Sequence, residues 1–147
     1  MKRSRAGAFA AVLASLVSLA LVVPAMAVDI TPGVYQGHGH FHGIPGDIHL
    51  VVHPGHAGGP AHLVEYNLTY VQTCDAGFGE RFWQHHRFDS RAGERHPISE
   101  DGTVTPVSYG NFRLHIAFSG SQATGSFRHP SGSQCDSGLN FDVPVAR

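Results

Sequence analysis

The chain has 147 residues, with 10 Lys+Arg, 11 Asp+Glu, 12 His and two cysteines, and a formal net charge of −1 at pH 7. That size suits one small domain with its own core and leaves little room for a second. If residues 1–27 leave as a leader, three basic residues go with them and the balance becomes 7 minus 11, or −4, which argues against nucleic acid as a partner.

The start reads as an export signal. Met1-Lys2-Arg3-Ser4-Arg5 is cationic, residues 6–23 are apolar apart from two serines, and Pro24-Ala25-Met26-Ala27 has the small-x-small pattern of a signal-peptidase site. Cleavage is expected after Ala27; the alternative is an uncleaved anchor, since the run nears the roughly 18 residues a span requires. The expected mature domain is residues 28–147. Export would put Cys74 and Cys135 in an oxidising compartment, where an isolated pair is more often a disulfide than a redox or metal site. Buried free thiols are the alternative.

Taken in order, residues 33–42 and 47–53 alternate, with Gly43-Ile44-Pro45-Gly46 as the expected turn between them. This predicts a hairpin with His42 opposite Asp47, His40 opposite His49, His38 opposite Val51 and Gln36 opposite His53, all on one face. The other face carries Tyr35, Phe41, Ile48, Leu50 and Val52, with Gly37 and Gly39 leaving room for neighbours. Residues 54–60 are a loop. Val64, Tyr66, Leu68 and Tyr70 then share the core side of a strand that ends at Cys74. Residues 81–88 read as a strand of mixed pattern, 89–100 as a polar surface loop, and 102–107 as a short edge strand limited by Pro106. Leu114, Ile116 and Phe118 mark the clearest half-buried strand. Ala123 and Phe127, and then Leu139, Phe141, Val143 and Val145, supply two more after it. With no helical period in the mature chain, these strands predict an all-β, antiparallel sandwich of jelly-roll type, or alternatively a β-barrel.

The chain resembles a family of small exported bacterial proteins, common in actinobacteria, that lack an assigned function. The likeness lies in Gly33-Val34-Tyr35-Gln36-Gly37, Ile48-His49-Leu50-Val51-Val52, Cys74, Asn111-Phe112, Ala123-Thr124-Gly125-Ser126-Phe127, and the ending Cys135, Gly138 and Phe141 onward. It implies a β-sandwich fold and a Cys74–Cys135 bridge, and no catalytic residues. That family typically has Ser, Thr and Gly in its first hairpin, so the histidines are particular to this chain.

Those histidines are the main chemical feature. Residues 6–80 contain no Lys or Arg, yet seven of the twelve histidines lie there. His38, His40, His42, His49 and His53, with Asp47, are the candidate metal ligands, because same-face strand positions recur every second residue and imidazole is the commonest metal ligand. Such a donor set suits Zn or Cu far better than oxygen-seeking Ca or Mg. The bland reading is the solvated side of a hairpin. His85, His86, His96, His115 and His129 are expected to be exposed and without a role. Trp83 is the exposed aromatic best placed for a sugar or protein ligand. There is no Gly-x-Ser-x-Gly, phosphate loop or free catalytic cysteine, so a non-enzyme is expected. The overall expectation is a secreted monomer, either metal-binding through its first hairpin or binding an extracellular carbohydrate or protein without metal.

Overall fold

The computed structural model describes residues 27–104, 111–130, 132 and 134–147. The expected leader lies outside them except for Ala27, as do Pro106 and the rest of its expected edge strand beyond Val104. Among the described residues nine strands follow one another: β1 (Gly33–Phe41), β2 (Ile44–His53), β3 (His62–Gly77), β4 (Glu80–Asp89), β5 (His96–Pro97), β6 (Thr103–Val104), β7 (Arg113–Ser119), β8 (Gln122–Arg128) and β9 (Cys135–Pro144). Their antiparallel order is β4-β3-β2-β1-β9-β8-β7-β6, with β5 beside β3. The only helical piece among the described residues is a single 3₁₀ turn at His56–Gly58.

The sheet folds back on itself into a sandwich-like body, and its ends, β4 and β6, do not pair with each other, so no closed barrel forms. Aromatic contacts join the two halves. Tyr35 of β1 meets Phe118 of β7 edge-on at 5.2 Å, and Tyr70 of β3 lies 4.7 Å from Phe127 of β8. Alternation explains the core: Ile48, Leu50 and Val52 of β2, Leu114 and Ile116 of β7, and Leu139 and Val143 of β9 all point inward and are buried.

β9 is the junction of the fold. It runs along β8 from Pro144 to Gly138, and on its other side it meets β1 at Phe141 and Asn140. Past the tip of the β1–β2 hairpin it meets β3 directly, from Gly138 to Cys135. The hairpin is therefore a wedge between β9 and β3. Two glycines make the wedge thin enough. Gly39 and Gly46 face each other across the hairpin; a Cβ on Gly39 would sit 2.3 Å from the Asn140 carbonyl, and one on Gly46 2.2 Å from that of Thr69. The Leu139 side chain lies over both.

Cys74 and Cys135 are direct cross-strand neighbours where β3 meets β9, and they form the expected disulfide, with S–S 2.06 Å and Cα–Cα 4.1 Å.

Three expectations need correction. The hairpin turns at His42-Gly43, with φ of 51° and 80°, rather than at residues 43–46. This two-residue turn with both φ positive matches the twist of the strands it joins. His38 consequently faces Asp47, Gln36 faces His49 and His40 faces Pro45. The slip is even, so the inner and outer faces are as expected and only the partners change. Second, a bulge in β3 pairs Val51 with Glu65 and Val52 with Leu63. Val64 is the extra residue, and the core side runs Leu63, Tyr66, Leu68 and Tyr70. Third, residues 89–100 are not simply a surface loop. β5 pairs with the start of β3, Ile98 is buried, and Glu94 and His96 have side chains only 15% and 13% exposed.

Candidate functional site

The outward side of β1 to β4 carries most of the polar chemistry. Strand pairing lays it out in rows. His38 faces Asp47, Asp47 faces Thr69 and Thr69 faces Arg87. Beside them, Gln36 faces His49, His49 faces Asn67 and Asn67 faces Asp89. Together Gln36, His38, Asp47, His49, Asn67, Thr69 and Arg87 surround a shallow depression of about 470 Å³. Its floor is the sheet itself at Gly37, Ile48 and Leu68.

Each candidate histidine has its own setting. His38 Nδ1 lies 2.7 Å from Asp47 Oδ1, the tightest His–carboxylate contact on this face. His42, at the turn, reaches off the hairpin to Asp136 of β9, Nε2 to Oδ2 3.2 Å. His49 Nε2 is 3.9 Å from Glu65 Oε1, an ion-pair contact too long for a hydrogen bond. His40 is exposed beside Pro45 rather than His49. His53 faces His62 at the far end of β2, six residues or about 20 Å from Asp47, so the two cannot share an ion. The histidines are thus spread over three carboxylates, and among the described residues no three His, Cys, Asp or Glu side chains converge as a metal-holding group.

Trp83 is 56% exposed on the same outward side of β4, with His85 edge-on to it at 5.3 Å. His85 in turn contacts the Pro45 carbonyl, 2.7 Å from Nε2, tying β4 to the tip of the hairpin. The other later histidines depart in part from the expectation of exposure. His115 is exposed, but His86 is half-buried and stacks on Tyr70 at 5.4 Å, and His129 is half-buried and stacks on Phe112 at 4.1 Å. Flat rings at the margin of an aromatic core exchange water for stacking contacts.

Residues from β3 and β4 complete the depression, and reading the hairpin alone misses them. Asn67 and Thr69 were readable as the polar side of their strand, whereas Arg87 sits where the alternation is mixed. A second group, also not anticipated, lies between β3 and the 89–100 segment. The Tyr66 hydroxyl donates to Glu94 Oε2 at 3.0 Å, and His96 Nε2 stands 3.5 Å from the same oxygen. Burial, together with the hydrogen bond to Glu94 and its negative charge, pushes the Tyr66 phenol well above its ordinary range.

No protein family, curated protein or solved structure matches the chain. Among the described residues no helix is long and apolar enough to cross a membrane.

Proposed function

We propose that the protein is an exported, non-enzymatic binding module that takes a polar, carbohydrate-like ligand on the outward side of β1 to β4. The observation that carries this is the depression edged by one side chain from each of four strands: His38, Asp47, Thr69 and Arg87. Sugar hydroxyls come as neighbouring donor–acceptor pairs, and carboxylate, amide and guanidinium groups are the side chains that meet such pairs two bonds at a time. Trp83 offers a flat apolar face for the ring carbons beyond Arg87. Export rests on the leader-like start and on the Cys74–Cys135 bridge, a bond that persists in oxidising compartments. The resemblance to small exported bacterial β-sandwich proteins fits the same reading.

The test is calorimetric titration of metal-stripped protein with oligosaccharides chosen by glycan array, on wild type and on Asp47→Ala, Arg87→Ala and Trp83→Ala. Binding lost in the first two and weakened in the third is the expected result. Binding unchanged in all three, or no glycan bound, refutes the reading.

A second reading is a Zn or Cu site built on the His38–Asp47 pair, with His40 two residues along the same exposed face. It is favoured by the 2.7 Å approach of an imidazole nitrogen and a carboxylate oxygen, two donors already side by side. Metal titration separates the two: tight one-to-one uptake lost in His38→Ala/Asp47→Ala supports the metal site. Weak binding at several sites, unchanged in that variant, removes it.

A further inference from the structure

We propose that the protein forms a two-fold dimer by pairing the free edge of β4 with the same edge of a second copy, centred on His85. β4 ends the sheet, and among the described residues no strand pairs with its outer side over the ten residues Glu80–Asp89. An open edge of that length is a template for another strand. It also carries two large exposed apolar side chains, Phe82 at 50% and Trp83 at 56%. Natural edges that stay single are short, bulged, covered or charged; this one is long and aromatic, and its charges, Glu80, Arg81, Arg87 and Asp89, are of both signs and can pair across a two-fold axis.

The sequence of the edge selects a second copy and one register. Centred on His85, Arg81 faces the partner's Asp89, Phe82 faces the partner's Phe88, Trp83 faces the partner's Arg87 and Gln84 faces the partner's His86. These are an opposite-charge pair, an aromatic pair, a cation–π pair and a polar pair. Asp89 already accepts from Arg87 at 2.8 Å, and a carboxylate has further acceptor sites for the partner's Arg81. Other registers match less well. Centred on Gln84, Arg81 would face the partner's Arg87. Centred between Gln84 and His85, Glu80 would face the partner's Asp89, and outward residues would lie beside the partner's core side. Centred on His86, Trp83 would face the partner's Asp89 and His85 the partner's Arg87. Among these, the His85 register sets opposite charges and aromatic side chains against each other at both symmetric ends and keeps both outward faces on one side. It also brings the partner's Trp83 next to Arg87 at the rim of the depression, although the pairing stands whatever the depression binds.

Analytical ultracentrifugation of the disulfide-intact mature chain at neutral pH tests this. A dimer is the expected result. Arg81, whose side chain is 68% exposed, is changed without touching the core. Arg81→Asp sets like charges at both symmetric contacts and weakens the dimer at least about tenfold. Arg81→Asp/Asp89→Arg restores it, which a surface elsewhere would not do. A monomer at neutral pH, a dimer indifferent to Arg81→Asp, or no recovery in the double variant would overturn the proposal.

Discussion

Removing the Cys74–Cys135 bridge with Cys74→Ala/Cys135→Ala frees a loop spanning a sequence separation of 61 residues. The chain-entropy relation, −2.1 − 1.5R ln n, puts the entropy regained by the unfolded chain at about 14 cal/mol/K, or about 4 kcal/mol at 25 °C. For a domain of about 120 residues the unfolding entropy is roughly 250 cal/mol/K, so the midpoint falls by roughly 15 °C. Cys135 is half-buried but Cys74 is buried, so the alanine pair adds a packing loss at Cys74 to this entropic term. Urea unfolding of both proteins, followed by tryptophan fluorescence and far-UV circular dichroism, measures the difference. Trp83 sits opposite Thr73, the residue before Cys74, and reports on that region. A loss below about 1 kcal/mol would refute the argument, because the denatured-state constraint would then be doing almost nothing. A normal loss in circular dichroism with an earlier, separate fluorescence transition would refute it differently, by showing that the bridge holds only the β3–β4 end.

Other predictions follow from single contacts. Gly39→Ala drives a Cβ against the Asn140 carbonyl and Leu139 and lowers stability by about 3 kcal/mol in denaturant unfolding, whereas an unchanged midpoint would mean the wedge has slack. Tyr66→Phe removes the hydroxyl that donates to Glu94 and costs about 2 kcal/mol. Because burial and Glu94 raise the Tyr66 phenol, its contribution is complete below the ordinary tyrosine range near pH 10 and is lost as pH rises above it, so Tyr66→Phe flattens alkaline unfolding; an identical alkaline limb in both proteins contradicts this. Asp101 accepts from Ser99 and Thr103, and these hydrogen bonds hold its carboxyl down at about 2. Its contribution is therefore present above the usual aspartate range and fades as pH falls toward 2; NMR titration showing an ordinary aspartate midpoint would remove it.

Much of the architecture was legible because strand alternation is a local signal. Leu114, Ile116 and Phe118 faced inward as their spacing required, and the hairpin kept its two faces despite a changed turn. The partners across the hairpin were less legible. Gly43-Ile44-Pro45-Gly46 has turn composition, but Gly46 is needed inside the strand to lie under Leu139 and beside Thr69, contacts made by residues far along the chain. The bulge at Val64 has the same character: nothing in residues 62–70 marks it, and it appears only when β3 is paired with β2. The candidate site was half legible. Its histidines and Asp47 stood out by composition, but Arg87 joins them through the β3–β4 pairing, and Asp136 draws His42 away across a separation of 94 residues. Tyr66, Glu94 and His96 meet through a loop that carries no periodic signal at all.

β9 touches β1, β3 and β8, and it follows all three in the chain. Until it is in place, the β1–β2 hairpin has nothing to wedge against, Cys74 has no partner sulfur, and one edge of β8 is unpaired. Assembly therefore waits for β9 rather than growing outward from β1, and most of its contacts join distant parts of the chain, which slows closure. The order of the strands thus works as a latch: the earlier ones stand open until the piece that fastens them follows.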